Sequence, residues 1–126
     1  MVSHEALIDS CLALSPDVRY VAVYRDGLLR SRERAGLEGA SASESDKYEE
    51  LLVNPSVLTL VRQRGNIDCG GLRYVVIRYG RFFQCVFPVE GGHVSVALEP
   101  AADVPRFLGM LEARLAESLG SPKSAL

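Results

Sequence analysis

The chain has 126 residues, which is enough for one well-packed domain and too few for two. Its formal net charge is −2, so no strong positive field favours binding to nucleic acid or to an anionic membrane. Hydrophobic residues make up 48% of the chain, yet no apolar segment reaches the roughly 18 residues that a membrane-spanning helix requires.

The first part of the chain predicts a helix followed by a β-hairpin. Ser3 is a candidate N-cap for a short amphipathic helix that ends before the first proline. Residues 18–25, VRYVAVYR, carry apolar side chains on both faces, which is typical of a strand that is covered on both sides. Asp26-Gly27 predicts a two-residue turn, and the return strand over residues 28–34 becomes charged, as edge strands do.

A Gly/Ala/Ser loop over residues 35–45 leads into helical sequence. We expect two helical pieces, residues 46–53 and 54–64, with a bend at Asn54-Pro55. Proline removes an amide donor and disfavours a helical conformation in the residue before it. Gly65 is the expected stop of the second piece.

The last part predicts three strands joined by short glycine turns, over residues 72–79, 81–88 and 93–99, and a closing helix capped by Asp103. The predicted fold class is α/β (α+β), a five-stranded antiparallel sheet with helices on both faces in the order α-β-β-α-β-β-β-α. We expect a single domain over residues 1–120 and a disordered tail over residues 121–126.

The most distinctive stretch is RGNIDCGG, residues 64–71. A functional interpretation is a glycine-rich loop that presents backbone amides, Asp68 and a thiol. It is not a phosphate-binding P-loop, because the glycines follow a helix instead of opening one. The structural interpretation, a helix stop followed by a shaped turn, is favoured.

The cysteine and histidine residues suggest two kinds of site, a metal site and a nucleophilic pair. Cys69, Cys85, His93 and Asp68 include possible metal ligands but lack the spacing of a zinc site. Cys69 and His93 could form a nucleophilic pair oriented by Asp68, although adjacent Asp68 and Cys69 side chains point apart in an extended chain. We predict no catalytic residue, no metal and no cofactor.

Location and nucleic-acid binding follow from the same composition. The three cysteines contain no CxxC pair and the N-terminus lacks a secretory pattern, so we expect a cytoplasmic protein with free thiols. Arginines beside the predicted strands could form a basic face with Tyr74 and Tyr79. Interleaved acidic residues argue against nucleic acid as a partner.

The hairpin VRYVAVYRDGLLRSR, the helical residues 46–64, the three-stranded meander and the final helix together resemble the roadblock / dynein light chain superfamily, in particular small uncharacterised prokaryotic members. The resemblance covers nearly the whole chain. It implies a non-enzymatic dimeric scaffold or regulator of a Ras-like small GTPase. Roadblock domains dimerise by joining sheet edges or by packing their central helices.

Two functional hypotheses result. In the first, the chain forms a homodimer through the helix over residues 54–64 and the third strand. Its predicted partner-binding residues are Arg62, Arg64, Asn66, Asp68 and Arg78. The alternative is a small-ligand-binding sensory domain of profilin-like or PAS/GAF-like architecture, with an apolar cavity lined by residues such as Tyr74, Phe83 and Phe87.

Overall fold

The computed structural model describes residues 2–36 and 43–120. The middle of the predicted loop over residues 35–45 and the predicted tail over residues 121–126 lie outside the described residues. The elements in chain order are α1 His4–Leu12, β1 Val18–Arg25, β2 Leu28–Glu33, α2 Ser43–Tyr48, a π-helical segment Glu49–Val53, α3 Asn54–Asp68, β3 Val75–Arg78, β4 Phe83–Val89, β5 Gly92–Leu98 and α4 Val104–Leu119.

The five strands form one antiparallel sheet in the order β2-β1-β5-β4-β3. Strand β1, the first strand of the hairpin, pairs with β5, the last strand of the meander, in the middle of the sheet. There Val21 of β1 pairs with Val96 of β5. Cys85 of β4 also pairs with Val96, so these three side chains lie on the same face. The predicted five-stranded antiparallel sheet with helices on both faces is confirmed.

One face of the sheet carries the main apolar core. It is covered by α1 and α4, whose N-caps are Ser3 and Asp103 as predicted, since their side chains accept from the amides of Ala6 and Arg106. The core on this face includes Leu7, Ile8, Val21, Val94, Val96, Leu98, Phe107 and Leu111. Among the described residues, no helix is both long and apolar enough to cross a bilayer.

The other face is covered by the helical residues 43–68. Its apolar cluster is small and consists of Tyr20, Ala22 and Ala97, with Leu29 and Phe82 packed against them. Polar side chains of β4 and β5 are buried as well, namely Gln84, His93 and Ser95. This face therefore depends on hydrogen bonds to hold its helix.

The predicted bend at Asn54-Pro55 is wrong, because the backbone stays helical from Ser43 to Asp68. Asn54 has helical dihedral angles of φ −61° and ψ −46°, and its amide donates to the carbonyl of Glu49, five residues earlier. This wider π-type turn lies immediately before Pro55, which has no amide hydrogen to donate. The chain thus adjusts the helix locally and does not break it.

The predicted stop at Gly65 is also wrong, since α3 continues to Asp68. The helix ends where Gly70 and Gly71 adopt positive φ angles of 83° and 89°. Gly65 is buried, and its carbonyl accepts from the amides of Cys69 and Gly71. A Cβ at Gly65 would lie 3.3 Å from the carbonyl carbon of Gly71, so glycine allows the returning chain to pass close to the helix.

The predicted bounds of the strands hold best in the middle of the sheet. Strand β1 has the predicted bounds, whereas β3 begins at Val75 and not at residue 72. Strand β3 pairs only with β4, so fewer ladder hydrogen bonds define its start.

The hairpin between β4 and β5 provides a stability prediction. A Cβ at Gly92 would lie 1.7 Å from the carbonyl oxygen of Tyr24, whereas a Cβ at Gly80, in the preceding turn, would have no atom within 4 Å. We expect Gly92→Ala to lower the free energy of unfolding by about 1–3 kcal/mol or more, because strand β1 must move away from β5. Gly80→Ala is the matched control and should change it by about 0.5 kcal/mol or less. Urea unfolding followed by circular dichroism measures both, and equal stability of the two variants would contradict the close β1–β5 approach.

Candidate partner-binding surface

Large apolar side chains lie exposed along the helical residues 49–68. We call this set the outer helix face; it consists of Leu51, Leu52, Leu60, Val61 and Ile67. Leu60 is 69% exposed and Ile67 is 75% exposed. These two residues are separated by two helical turns and therefore project from the same side of α3. Contiguous exposed apolar groups of this kind mark interaction surfaces in soluble domains.

The inner side of the same helix is little buried. Within α3 only Asn54, Leu58 and Gly65 are buried in the described chain. Most helices that cover a sheet bury a continuous apolar stripe. This helix therefore holds more of its apolar surface outside the domain than inside it.

Strand β3 lies at one edge of the sheet. In the described chain it pairs with β4 alone, so the backbone groups on its other side have no strand partner. The chain enters β3 directly from the end of α3, and Tyr79, just after β3, donates from its hydroxyl to Glu49 at 2.9 Å. The start of the helical residues 49–68 therefore lies close to the end of β3.

A buried polar network fixes the helix on the sheet. Glu50 is 0% exposed, and its carboxylate contacts His93 Nε2 at 2.8 Å and accepts from Ser95 Oγ at 2.6 Å. Asn54 Nδ2 donates to the same carboxylate at 2.9 Å. Because Glu50 points into the sheet, its chain neighbours Leu51 and Leu52 point outward.

The predicted partner-binding residues lie in two groups near this surface. Arg64 and Asp68 form an exposed ion pair at 2.5 Å, one turn apart at the end of α3, and Arg64 holds the pKa of the Asp68 carboxyl below its usual range. Arg78 lies on β3 with its guanidinium 4.8 Å from the centre of the Phe83 ring. Arg62 and Asn66 are half-buried on α3. A role in binding remains a prediction for all five.

The structure does not bring together the cysteine and histidine side chains of the metal site or of the nucleophilic pair. The Cys69 thiol is exposed and donates to Asp68 at 3.3 Å, whereas His93 is buried against Glu50. Cys85 lies in the core on the opposite face, where burial raises the pKa of its thiol to about 12. Among the residues that the structure describes, no three His, Cys, Asp or Glu side chains are grouped to hold a metal ion.

The residues proposed to line a ligand cavity pack as core. The Tyr74 and Phe87 rings lie 5.1 Å apart, Phe87 is buried, and Tyr74 and Phe83 pack against the main apolar cluster. The cavity expected from these three side chains is therefore not formed around them.

Sequence reasoning placed a dimer interface on the helix over residues 54–64 but did not identify the exposed apolar side chains of the outer helix face, and it missed the buried Glu50. The sequence contained a signal for the exposed apolar side chains, because Leu60 and Ile67 lie on the same face of the helix as the charged Arg64. This face lacks the further apolar residues that a core-facing stripe contains. For Glu50 the local sequence EELLV gave no signal that one acidic side chain would be buried and its neighbour Glu49 half-buried.

Comparisons with known proteins were made by sequence and by structure. No family model matches the sequence, and no curated protein matches it. A solved structure of a roadblock/LC7 domain from Streptomyces avermitilis is similar with a TM-score of 0.66, 20% identity, and coverage of 89% of this chain and 90% of that one. MglC from Myxococcus xanthus gives a TM-score of 0.62 at 11% identity, over 92% and 96% of the two chains. The gliding protein MglB from Thermus thermophilus gives 0.61 at 12% identity, over 95% and 93%. At these identities the likeness shows the fold, which is that of the roadblock/LC7 domains.

Proposed function

We propose that this roadblock-fold chain is a non-enzymatic scaffold or regulatory domain that forms a homodimer and binds a Ras-like small GTPase. The observation that carries the proposal is the exposed outer helix face, together with the outer edge of β3, which pairs with no further strand in residues 2–36 and 43–120. A surface of this composition is stabilised when it is covered by another protein.

A second copy of the chain is the best match for the apolar part of this surface. In a two-fold symmetric dimer the patch with Leu60 and Ile67 faces the same patch of the second copy, so one apolar face provides both halves of the interface. Two β3 edges can also pair with each other, which satisfies their backbone groups. A related solved structure, described as MglB with tetrameric arrangement, matches with a TM-score of 0.67 and 12% identity, which supports self-association as a property of the fold.

The charged residues next to the apolar face suit a second, transient partner. Arg64, Asp68 and Arg78 are exposed, and interface rims are polar and charged. That the partner is a Ras-like small GTPase follows from the resemblance to roadblock domains. The five predicted residues, Arg62 and Asn66 included, are proposed to bind it.

The proposed GTPase partner is tested by affinity purification from the native cell extract, in parallel with a GTP analogue and with GDP. We expect a Ras-like GTPase to be enriched in one nucleotide state, and the binding to be reproduced with the two purified proteins. Arg64→Ala should weaken that binding at least several-fold, since it removes an exposed charge and its pairing with Asp68.

The matched control is Arg73→Ala, which removes another exposed arginine that pairs with Glu112 on α4. Binding should be unchanged by this variant. Recovery of only the chain itself in both nucleotide states would contradict the GTPase role while leaving the homodimer to its own test.

A further inference from the structure

A cavity of about 450 Å³ lies on the face of the sheet that is covered by the helical residues 43–68. Its helical lining comes from the residues before α3. We call it the Tyr20 pocket. Its walls come from Tyr20 of β1, Gln84 of β4, Glu33 at the end of β2, Glu49 of the π-helical segment and Phe82 after β3. The volume is in the range of small-molecule sites, and it is distinct from the outer helix face proposed for protein binding.

Within residues 2–36 and 43–120, three buried polar atoms in the walls of this pocket have no hydrogen-bond partner. Tyr20 is 8% exposed, and its hydroxyl forms no hydrogen bond of ordinary geometry with the described residues, although it lies close enough to Ser31 and Glu50 for weak ones. Gln84 is 2% exposed and its Nε2 is likewise unpaired, as is the buried Oε2 of Glu33. Buried polar atoms without partners are rare because leaving water without a new hydrogen bond is unfavourable. Three of them in one pocket indicate that a bound molecule completes their bonding.

The charge of the walls indicates the sign of that molecule. Glu33 and Glu49 line the pocket, and burial raises the pKa of Glu49 in spite of the hydrogen bond it accepts from Tyr79. A carboxylate that has lost water is stabilised by a nearby cation. Of the two arginines in the walls, Arg19 pairs with Glu99 at 3.5 Å and Arg81 is exposed.

The aromatic walls define the body of the molecule. Phe82 and Tyr79 lie with their ring centres 5.3 Å apart beside the carboxylates. The guanidinium of Arg19 already lies 5.7 Å from the centre of the Phe82 ring, which shows that this ring accepts a flat cation on its surface. The unpaired Tyr20 hydroxyl and Gln84 amide require an acceptor on the ligand, whereas Glu33 requires a donor.

We propose that the Tyr20 pocket binds a small organic cation, an ammonium or guanidinium compound that also carries a hydrogen-bond acceptor. Glu33 and Glu49 receive the cationic group, and Tyr20 and Gln84 donate to the acceptor. The pocket is thus a small-molecule site that is separate from the outer helix face proposed for protein binding.

The test uses L-arginine, L-lysine and agmatine as probes, with L-citrulline as the uncharged counterpart of L-arginine. Binding is measured by isothermal titration calorimetry and by chemical-shift changes in NMR spectra of the full chain. We expect at least one of the three cations to bind, and L-citrulline to bind at least tenfold more weakly than L-arginine if L-arginine is the one that does. Glu49→Gln should weaken binding at least tenfold. Glu112→Gln changes a half-buried carboxylate on α4, outside the pocket, and should leave binding unchanged.

Two further variants separate ligand binding from a structural role. Tyr20→Phe and Gln84→Met each remove an unpaired buried group with little change of shape, so the ligand-free protein should melt at the same or a higher temperature while cation binding falls several-fold. Absence of binding by all three cations at millimolar concentration would overturn the proposal. Cation binding that is unchanged in Glu49→Gln would overturn it as well. So would a lower melting temperature of ligand-free Tyr20→Phe or Gln84→Met than of the unsubstituted protein.

Discussion

Leu60→Glu is expected to convert the proposed homodimer into a monomer. Leu60 is 69% exposed in the single chain, so its side chain contributes to association and not to the core. Burying a leucine side chain contributes roughly 1.5–3 kcal/mol, and a two-fold interface buries it twice. The loss of at least about 3 kcal/mol, before the penalty of placing two like charges at the interface, weakens association by roughly a hundredfold or more.

Sedimentation velocity over a range of protein concentrations measures the change, and circular dichroism verifies that the fold is retained. The matched control is Leu28→Glu. Leu28 is 44% exposed on β2, at the sheet edge opposite β3, and its replacement should leave the dimer intact. If Leu28→Glu dissociates the dimer and Leu60→Glu does not, association uses the β2 edge and the proposed interface is wrong.

Glu50→Ala is expected to cause the largest loss of stability. The truncation removes the partner of His93, Ser95 and Asn54 at once and leaves buried polar groups without hydrogen bonds. Removing one member of a buried ionisable pair lowers the free energy of unfolding by about 3–5 kcal/mol. Natural domains have only about 5–15 kcal/mol in total, so this loss removes a large part of the stability and should shift the midpoint of chemical unfolding clearly downward.

Chemical unfolding of the purified variants tests this effect. Glu112→Ala is the control, because it removes a half-buried carboxylate whose partner Arg73 is exposed, and it should change stability by about 1 kcal/mol or less. Replacing three members of the network together, with Glu50→Leu, His93→Leu and Ser95→Ala, should recover part of the loss, since Asn54 is then the one former partner of Glu50 that stays buried without it. A loss below about 1 kcal/mol for Glu50→Ala would mean that the network does not hold the helix on the sheet.

The two predictions are connected through the orientation of one helix. Glu50 lies inside the domain and its neighbours Leu51 and Leu52 lie outside it. The network at Glu50 therefore determines which side of the π-helical segment faces a partner. A substitution that removes the hydrogen bonds of Glu50 should weaken self-association of the molecules that remain folded.

The sequence predicted the sheet well because the signals for it are local. A run of β-branched and aromatic residues with apolar side chains on both faces predicted β1 at Val18–Arg25, and Asp26-Gly27 predicted the first hairpin. The N-caps Ser3 and Asp103 were also predicted, since a cap bonds to an amide only three residues away. Exposure of Arg64 and Arg78, two of the predicted partner-binding residues, followed from their charge.

Tertiary structure alone decided the helix over residues 43–68 and what it presents on each side. The helix passes through Asn54-Pro55 and Gly65 against their local preferences, because contacts with the sheet and with the chain at Gly71 favour it there. The partners of Glu50 are 43 and 45 residues away in sequence, so no local pattern could reveal its burial. The same holds for the unpaired groups of the Tyr20 pocket in the described chain, which lie on three different strands, β1, β2 and β4. Local rules determine which elements form, whereas the buried polar groups and the exposed apolar side chains depend on which distant residues meet.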